Sequence, residues 1–322
     1  MTVSVSVVDP VDAAALIEWS AAIRRSCVED RVGAWWPSDE SVLAQFADPP
    51  SGRRRWALVY HADDGSVAGA ADVAVSDGDP AEVTVGVLPE HRRRGRGTAL
   101  WEAARELLAE HSPAVVQSET WSAPGVAFAE RIGLSIANSE FRMLRDSASA
   151  APDAPAVSGV DVVAWTGAVP DGLLGDWVRL NASMRDDVPL GELTRRATVI
   201  DPDWVRAHEK RMSDQGWILV RAMARAGSRG VGYTVIFVAR DGDEIIVQDD
   251  TFVEGAYRGR GIARLLKAEN LRQLRSVPAA AAARWVQTST AVDNSAMLSL
   301  NRAIGFEVAD ISYALEGPLA IS

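Results

Sequence analysis

Two stretches of the chain carry the pattern most able to do chemistry. Val87 to Gly97 reads Val-Leu-Pro-Glu-His-Arg-Arg-Arg-Gly-Arg-Gly, and Val253 to Ala263 reads Val-Glu-Gly-Ala-Tyr-Arg-Gly-Arg-Gly-Ile-Ala. Both reduce to Val, three residues, His or Tyr, then Arg-x-x-Gly-x-Gly/Ala, at a constant offset of 166 residues from Arg92 to Arg258 and from Gly95 to Gly261. Each follows a strand-like run and opens a helix-like run. The first turn of a helix offers unpaired amides and the positive end of the helix dipole, so the backbone alone can bind phosphate there. Gly261 and Ala263 leave room for close approach, as Gly95 and Gly97 do in the first copy. Arg258 and Arg260, or Arg92, Arg94 and Arg96, add charge at the rim. A single copy is equally a plain glycine turn before a helix; the repetition favours a binding site and divides the chain into two related halves. Neither copy ends in Gly-Lys-Ser/Thr, which excludes a nucleotide P-loop, and the acidic residue that follows a dinucleotide fingerprint is missing.

The strand before the second copy carries two adjacent acids, Asp249 and Asp250. Strand alternation puts Asp249 on the Val253 side and Asp250 on the Gln248 side, and a β-bulge would exchange them. Either can act as a base toward a cationic group, and a solvated pair at a strand end is the plain alternative. Two unpaired aspartates inside a sheet are costly, so one is expected in a polar cleft. The loop acids Asp187 and Glu192 are either grips for a cation or, the preferred reading, ordinary surface charge.

Elements must position these groups. In the C-terminal half the periodicity predicts strands over Val160–Ala164, Trp217–Ala222, Val231–Ala239, Glu244–Val253, Trp285–Ser289 and Phe306–Leu315. Helices are predicted over Leu173–Met184, Asp203–Gln215, Gly261–Leu274 and Ser295–Ile304, with a loop from Asp186 to Gly191. The N-terminal half repeats the order. It reads strand Val3–Val8, helical stretches Ala13–Cys27 and Glu40–Phe46, and a hairpin of Trp56–His61 and Val67–Val75. Strand Glu82–Val87, helix Gly97–Glu110, strand Val115–Thr120, helix Gly125–Ile132 and strand Leu134–Met143 follow. Ser147 to Gly159 is small, proline-bearing and aperiodic, a linker between a domain of residues 1–146 and one of residues 160–322.

The chain has 322 residues, 48% of them hydrophobic, and a net charge of −11, as expected of two ordinary globular domains. That charge argues against a nucleic-acid binder. The run Arg53-Arg54-Arg55 reads as a solvated loop. One cysteine, Cys27, precludes an intrachain disulfide and suggests a cytoplasmic, reducing setting. Four scattered histidines give no metal cluster. No signal peptide or membrane-spanning run is evident.

With these motifs in hand, the chain resembles the GNAT superfamily of acetyl-CoA-dependent N-acetyltransferases. The resemblance rests on Arg-x-x-Gly-x-Gly/Ala after a Val-bearing strand, on Gln248-x-Asp250-Thr251-x-Val253, and on Asn294-x-x-Met297-x-x-x-Asn301-x-x-x-Gly305-Phe306. It covers both halves and implies a mixed α/β fold of two tandem GNAT-like domains, each a twisted, mostly antiparallel sheet flanked by helices. The two-domain layout is shared with mycothiol synthases. The family pattern implies that Arg258, Gly259, Arg260, Gly261, Ile262 and Ala263 hold the CoA pyrophosphate. It also implies that the backbone of Phe252 and Val253 meets pantetheine and polarises the thioester carbonyl, that the strands ending at Val253 and Ser289 splay to admit the acyl arm, and that Asn294 and Asn301 line the opening. Helix capping is the plain alternative for Asn294.

The family's usual tyrosine acid, four residues before the Gly of Gly-Phe, is here Asn301, and Ala129 stands at the matching place in the first half. Tyr257 and Tyr313 are other donors, with packing their plainer role. A thiol has a pKa of roughly 8.5, so water can also protonate the sulfur. The N-terminal copy keeps Val87 and Arg92 to Gly97 but has Ser122 in place of Asn294 and an apolar helix after it. Catalysis by Asp249 or Asp250, with Asn301, is therefore expected in the C-terminal half, on the amine of a small molecule, without nucleic acid or membrane. A non-catalytic CoA-binding module is the alternative. The halves pair as a pseudo-dimer in a monomer, or the chain forms a homodimer.

Overall fold

A computed structural model describes residues 5–29, 31–188, 190–194 and 199–319. Val3 and Ser4 of the expected first strand and Pro189 of the expected loop lie outside the described residues. The chain divides into two compact units: residues 1–139, 190–197 and 311–322, and residues 140–189 and 198–310. Sequence halves and compact units are thus not the same set of residues.

In the first unit the strands are β1 (Val5–Val7), β2 (Arg53–His61), β3 (Val67–Ser76), β4 (Ala81–Val87) and β5 (Val115–Thr120). They pair in that order, antiparallel except for the parallel β4–β5 contact. The far edge of β5 is covered by Tyr313–Pro318 of the C-terminal strand β12 (Glu307–Pro318), antiparallel to Thr120–Val115. Helices α1 (Ala13–Val28), α2 (Asp39–Ala47), α3 (Arg96–Ala109) and α4 (Ala123–Arg131) flank the sheet. Asp12, Ser38 and Ser122 cap α1, α2 and α4 through their side-chain oxygens. The tri-arginine run is not a solvated loop: it begins β2. Arg55 donates to both carboxylate oxygens of Asp72 at 2.8 and 2.7 Å, and Arg53 donates to Glu82 at 2.6 Å. Cross-strand carboxylates hold Arg53 and Arg55, which composition alone assigned to solvent, while Arg54 is exposed.

In the second unit the strands are β7 (Asp161–Thr166), β8 (Trp217–Ala226), β9 (Arg229–Ala239), β10 (Ile245–Val253) and β11 (Trp285–Ala291). Here β7, β8, β9 and β10 pair antiparallel in succession, and β10 meets β11 in parallel. Residues 140–146 of β6 (Ser135–Asp146) run antiparallel along β11. Helices α5 (Asp171–Asp187) and α6 (Pro202–Asp214) pack Trp177, Leu180 and Val205 with Tyr233 and Phe252. Helix α7 (Ile262–Gln273) buries Ile262 and Leu266 against Ala222, Val231 and Val253. Helix α8 (Ser295–Ala303) follows β11. Burial of each such side chain stabilises the fold by about 1.5–3 kcal/mol and holds the start of α7 rigid.

The small-residue segment 147–159 is tied down along its length. Ser147 N donates to the Arg284 carbonyl at 3.0 Å, Arg264 Nε to that of Asp153 at 2.9 Å, and an Arg260 nitrogen to that of Ser158 at 3.2 Å. No helix among the described residues is long and apolar enough to cross a membrane.

Candidate functional site

Strand β10 ends at Val253, and a single 3-10 turn, Gly255–Tyr257, carries the chain into Arg258–Gly261 and then α7. Gly259 and Gly261 have φ of +74° and +84°, a region that side-chain-bearing residues avoid, and Gly261 is the residue before the helix. A Cβ at either would meet no atom within 4 Å, so the space over the loop is open. The amides of Ile262, Ala263 and Arg264 lie in the first turn, where the helix offers no acceptor, and no described residue supplies one. Arg258 donates from Nε to the Val253 carbonyl at 2.9 Å and also pairs with Asp187, with its guanidinium 5.6 Å from the Phe252 ring. Arg260 lies over Tyr257, which packs beside the apolar cluster under the loop.

The N-terminal copy has the same construction. A 3-10 turn, Pro89–His91, precedes Gly95 at φ +76° and α3, and Arg92 Nε donates to the Val87 carbonyl at 2.9 Å. Arg92, Arg93, Arg94 and Gly95 are exposed, and Arg96 bonds His91. A Cβ at Gly97 would meet the Phe128 ring of α4 at 3.5 Å.

Pairing between β10 and β11 covers only Ile245–Val247 with Trp285–Gln287. Beyond it, residues 248–253 and 288–291 line a cavity of about 680 Å³ that is continuous with residues 257–259 and 261–264. The rest of its wall includes Lys267 on α7, Glu140 on β6, Asn294 and Met297 near the start of α8, and Met184 and Asp187 at the end of α5.

The register of β10 slips against β9: Gln248 faces Ile236 but Thr251 faces Thr234, which is a bulge with one extra residue on β10. The Gln248 amide donates to Thr234 Oγ1 at 3.0 Å and to the Val235 carbonyl at 2.9 Å, and Thr234 and Thr251 share a 2.8 Å hydroxyl contact. Gln248 therefore shares a face with Thr251. Asp250 lies with Tyr233, whose hydroxyl is 3.1 Å from Oδ2 and 3.3 Å from Asn181 Oδ1. Asp249 lies in the field of Lys267. The bulge moves Gln248 to Thr251's face; it leaves Asp249 on the Lys267 side and Asp250 with Tyr233.

Burial pushes both carboxyl groups up. For Asp249 the neighbouring Asp250 adds to the effect and Lys267 opposes it; for Asp250, the Tyr233 hydroxyl and Arg185 oppose it. Asp249 is exposed on the cavity side, so water reaching it limits its rise, whereas Asp250 is half-buried beside Tyr233. The Tyr233 hydroxyl is itself driven up by burial and by the two carboxylates.

Of the other residues singled out in the sequence, Phe252, Val253, Arg258, Gly259, Gly261, Ile262, Ala263 and Asn294 all line the cavity. Asn294 also caps α8, accepting from Met297 N at 3.1 Å. Asn301 is fully buried, donates to Thr290 Oγ1 at 2.9 Å, and reaches the wall only through that threonine. Tyr313 lies in β12 opposite Thr120. Sequence reasoning passed over Lys267, Tyr233 and the side chain of Gln248, whose Oε1 is buried without a donor. The rarity of lysine in this chain was the available signal for Lys267.

Residues 18–134 match the model of the acetyltransferase (GNAT) family. A mycothiol acetyltransferase of Mycolicibacterium vanbaalenii is 27% identical, over 87% of this chain and 88% of its own. One from Thermobifida fusca is 28% identical over 94% of both chains. Among solved structures, a tandem GNAT protein from the clavulanic acid biosynthesis pathway superposes with a TM-score of 0.80 at 24% identity, over 99% of both chains. A GCN5-related N-acetyltransferase from Sphaerobacter thermophilus gives 0.69 at 20% identity, over 99% of this chain and 96% of its own.

Proposed function

We propose that this chain, a tandem GNAT-superfamily N-acetyltransferase, moves the acetyl group of acetyl-CoA to the amine of a small molecule, with the chemistry in its C-terminal unit. The observation that carries this reading is the single cavity joining the open amides of residues 259–264 to Asp249 and Asp250. The residues fit the ligand: positive-φ glycines leave the loop bare, and the orphan Gln248 Oε1 on the wall can accept from an amide N–H of pantetheine.

Acetyl-CoA supplies an acetyl group activated as a thioester. The amides of Gly259 to Arg264, with Arg258 and Arg260, hold its pyrophosphate. Main chain at Phe252 and Val253 orients the acyl arm and stabilises charge on the carbonyl oxygen. Asp250 is the better placed base: Tyr233 fixes its carboxylate on the face away from α7, and its burial-raised pKa makes it a stronger proton acceptor than an ordinary carboxylate. Val87, Arg92, Arg94, Gly95, Arg96 and Gly97 form a second cradle that shapes the protein rather than its chemistry.

The test is to incubate the protein with acetyl-CoA and a panel of primary amines, including the acceptor of the mycothiol acetyltransferases it resembles, and to titrate free thiol. Amine-dependent thiol release supports the reading. Binding of CoA without release for any amine points to the non-catalytic module, and no binding at all overturns both.

A further inference from the structure

The chain's 33 basic residues include only two lysines, Lys210 and Lys267; all the others are arginines. Arginine cannot give up its proton in a protein, whereas a buried lysine can. Lys210 is an ordinary surface residue, with its side chain 72% exposed and paired with Asp214. Lys267 is 1% exposed and lies on the wall of the cavity. It is five residues beyond Ile262, or about 7.5 Å along the helix at roughly 1.5 Å per residue. Its ammonium makes no hydrogen bond or ion pair with any described residue; the Phe306 ring lies 5.8 Å away.

A buried, unpaired cation is costly and calls for a compensating function. Burial pushes the Lys267 ammonium down to about 7, with the Asp249 carboxylate pulling it back up. Asp249 is in turn influenced by Asp250, and Asp250 by Tyr233 and Arg185. At the position where the family has its tyrosine acid, Asn301 has its amide engaged by Thr290.

We propose that Lys267 is the catalytic acid that protonates the departing CoA sulfur. This rests on the reading of the cavity as an acetyl-CoA site. The acceptor ammonium first gives one proton to Asp250, which passes it to solvent. As the nitrogen–carbon bond forms and the carbon–sulfur bond breaks, the sulfur takes the electron pair and a proton from Lys267 Nζ. The nitrogen then sheds its second proton, which returns through water to the neutral lysine. The products are the amide, CoA thiol and one proton in solution.

The probe is free CoA, with desulfo-CoA as control. Calorimetry first establishes that CoA binds; failure there sinks the acetyl-CoA reading itself. In the bound complex, the ultraviolet absorbance of the thiolate gives the thiol pKa. A facing cation lowers such a value by about one unit or more. We expect that depression in the wild type and its loss in Lys267→Met, with CoA affinity within about threefold. Equal thiol pKa values in the two proteins overturn the assignment of Lys267. A second measurement needs no variant: with isotope-labelled lysine, only two side-chain signals arise, and Lys210 serves as reference. CoA should shift the titration of Lys267 upward and desulfo-CoA should not; identical titrations with both ligands overturn the proposal even if Lys267→Met fails to fold.

Discussion

Arg258 Nε donates to the Val253 carbonyl at 2.9 Å, and Arg92 Nε donates to the Val87 carbonyl at the same distance. In each unit an arginine ties the loop before a helix to the last residue of the preceding strand. The first arginine of the motif therefore positions the amides as well as adding charge. In the second unit, Arg258→Ala should raise the KM for acetyl-CoA by about tenfold, the effect of one lost charge-assisted bond, with kcat changed much less. Steady-state kinetics at varied acetyl-CoA read this directly. An unchanged KM would remove Arg258 from the cradle.

Gly261 and Gly95 occupy the same left-handed position, so Gly261→Val and Gly95→Val should strain the backbone by a similar 1–3 kcal/mol, roughly. Their functional effects should differ. Gly261→Val is expected to abolish turnover, whereas Gly95→Val should leave kcat/KM within a few-fold. Thermal melts confirm equal strain, and thiol release separates the units. Equal losses of activity would contradict the division of labour.

The raised carboxyl pKa values and the lowered lysine predict a bell-shaped pH–rate profile. Activity should rise as Asp250 ionises and fall as Lys267 deprotonates above about pH 7. Asp250→Asn should remove the rising limb and lower kcat by about 10²–10⁴-fold, the usual range for a lost base. A profile that keeps both limbs in Asp250→Asn would assign the base to Asp249 or to another group.

Lys267 should also weaken the fold. Its pKa falls from 10.5 unfolded to about 7 folded, so the unfolded chain binds the extra proton between those values and stability rises with pH across that window. At and below pH 7 the buried ammonium costs the native state a few kcal/mol, on the order set by 1.36 kcal/mol per pKa unit. Lys267→Met should therefore raise the melting temperature most at low pH and least near pH 10, the reverse of its effect on turnover. Denaturant melts across that range check the sign.

Much of this was legible in the chain. Helix and strand order followed from apolar period, and Pro or Gly signals fixed most boundaries; α7 differs from expectation by one residue at each end and α8 by one residue at its C-terminal end. The turn before α7 was legible because Gly259 and Gly261 take left-handed backbone conformations there and Arg258 ties the loop to the end of β10. Long-range partners were not: nothing in the alternation of residues 140–146 specifies β11 as their neighbour, or β5 as the neighbour of Tyr313–Pro318. The bulge depends on Gln248 reaching Thr234, a contact that period alone does not encode. Lys267 was hidden because a polar residue on an amphipathic helix reads as solvent-facing, and only tertiary packing turns it inward.

A structure of the protein with acetyl-CoA bound decides where the ligand sits. Pyrophosphate is expected on the amides of residues 259–264 and the thioester between β10 and β11, within reach of Lys267 and Asp250. A CoA that leaves this cavity empty, or whose sulfur lies away from both residues, would contradict this placement.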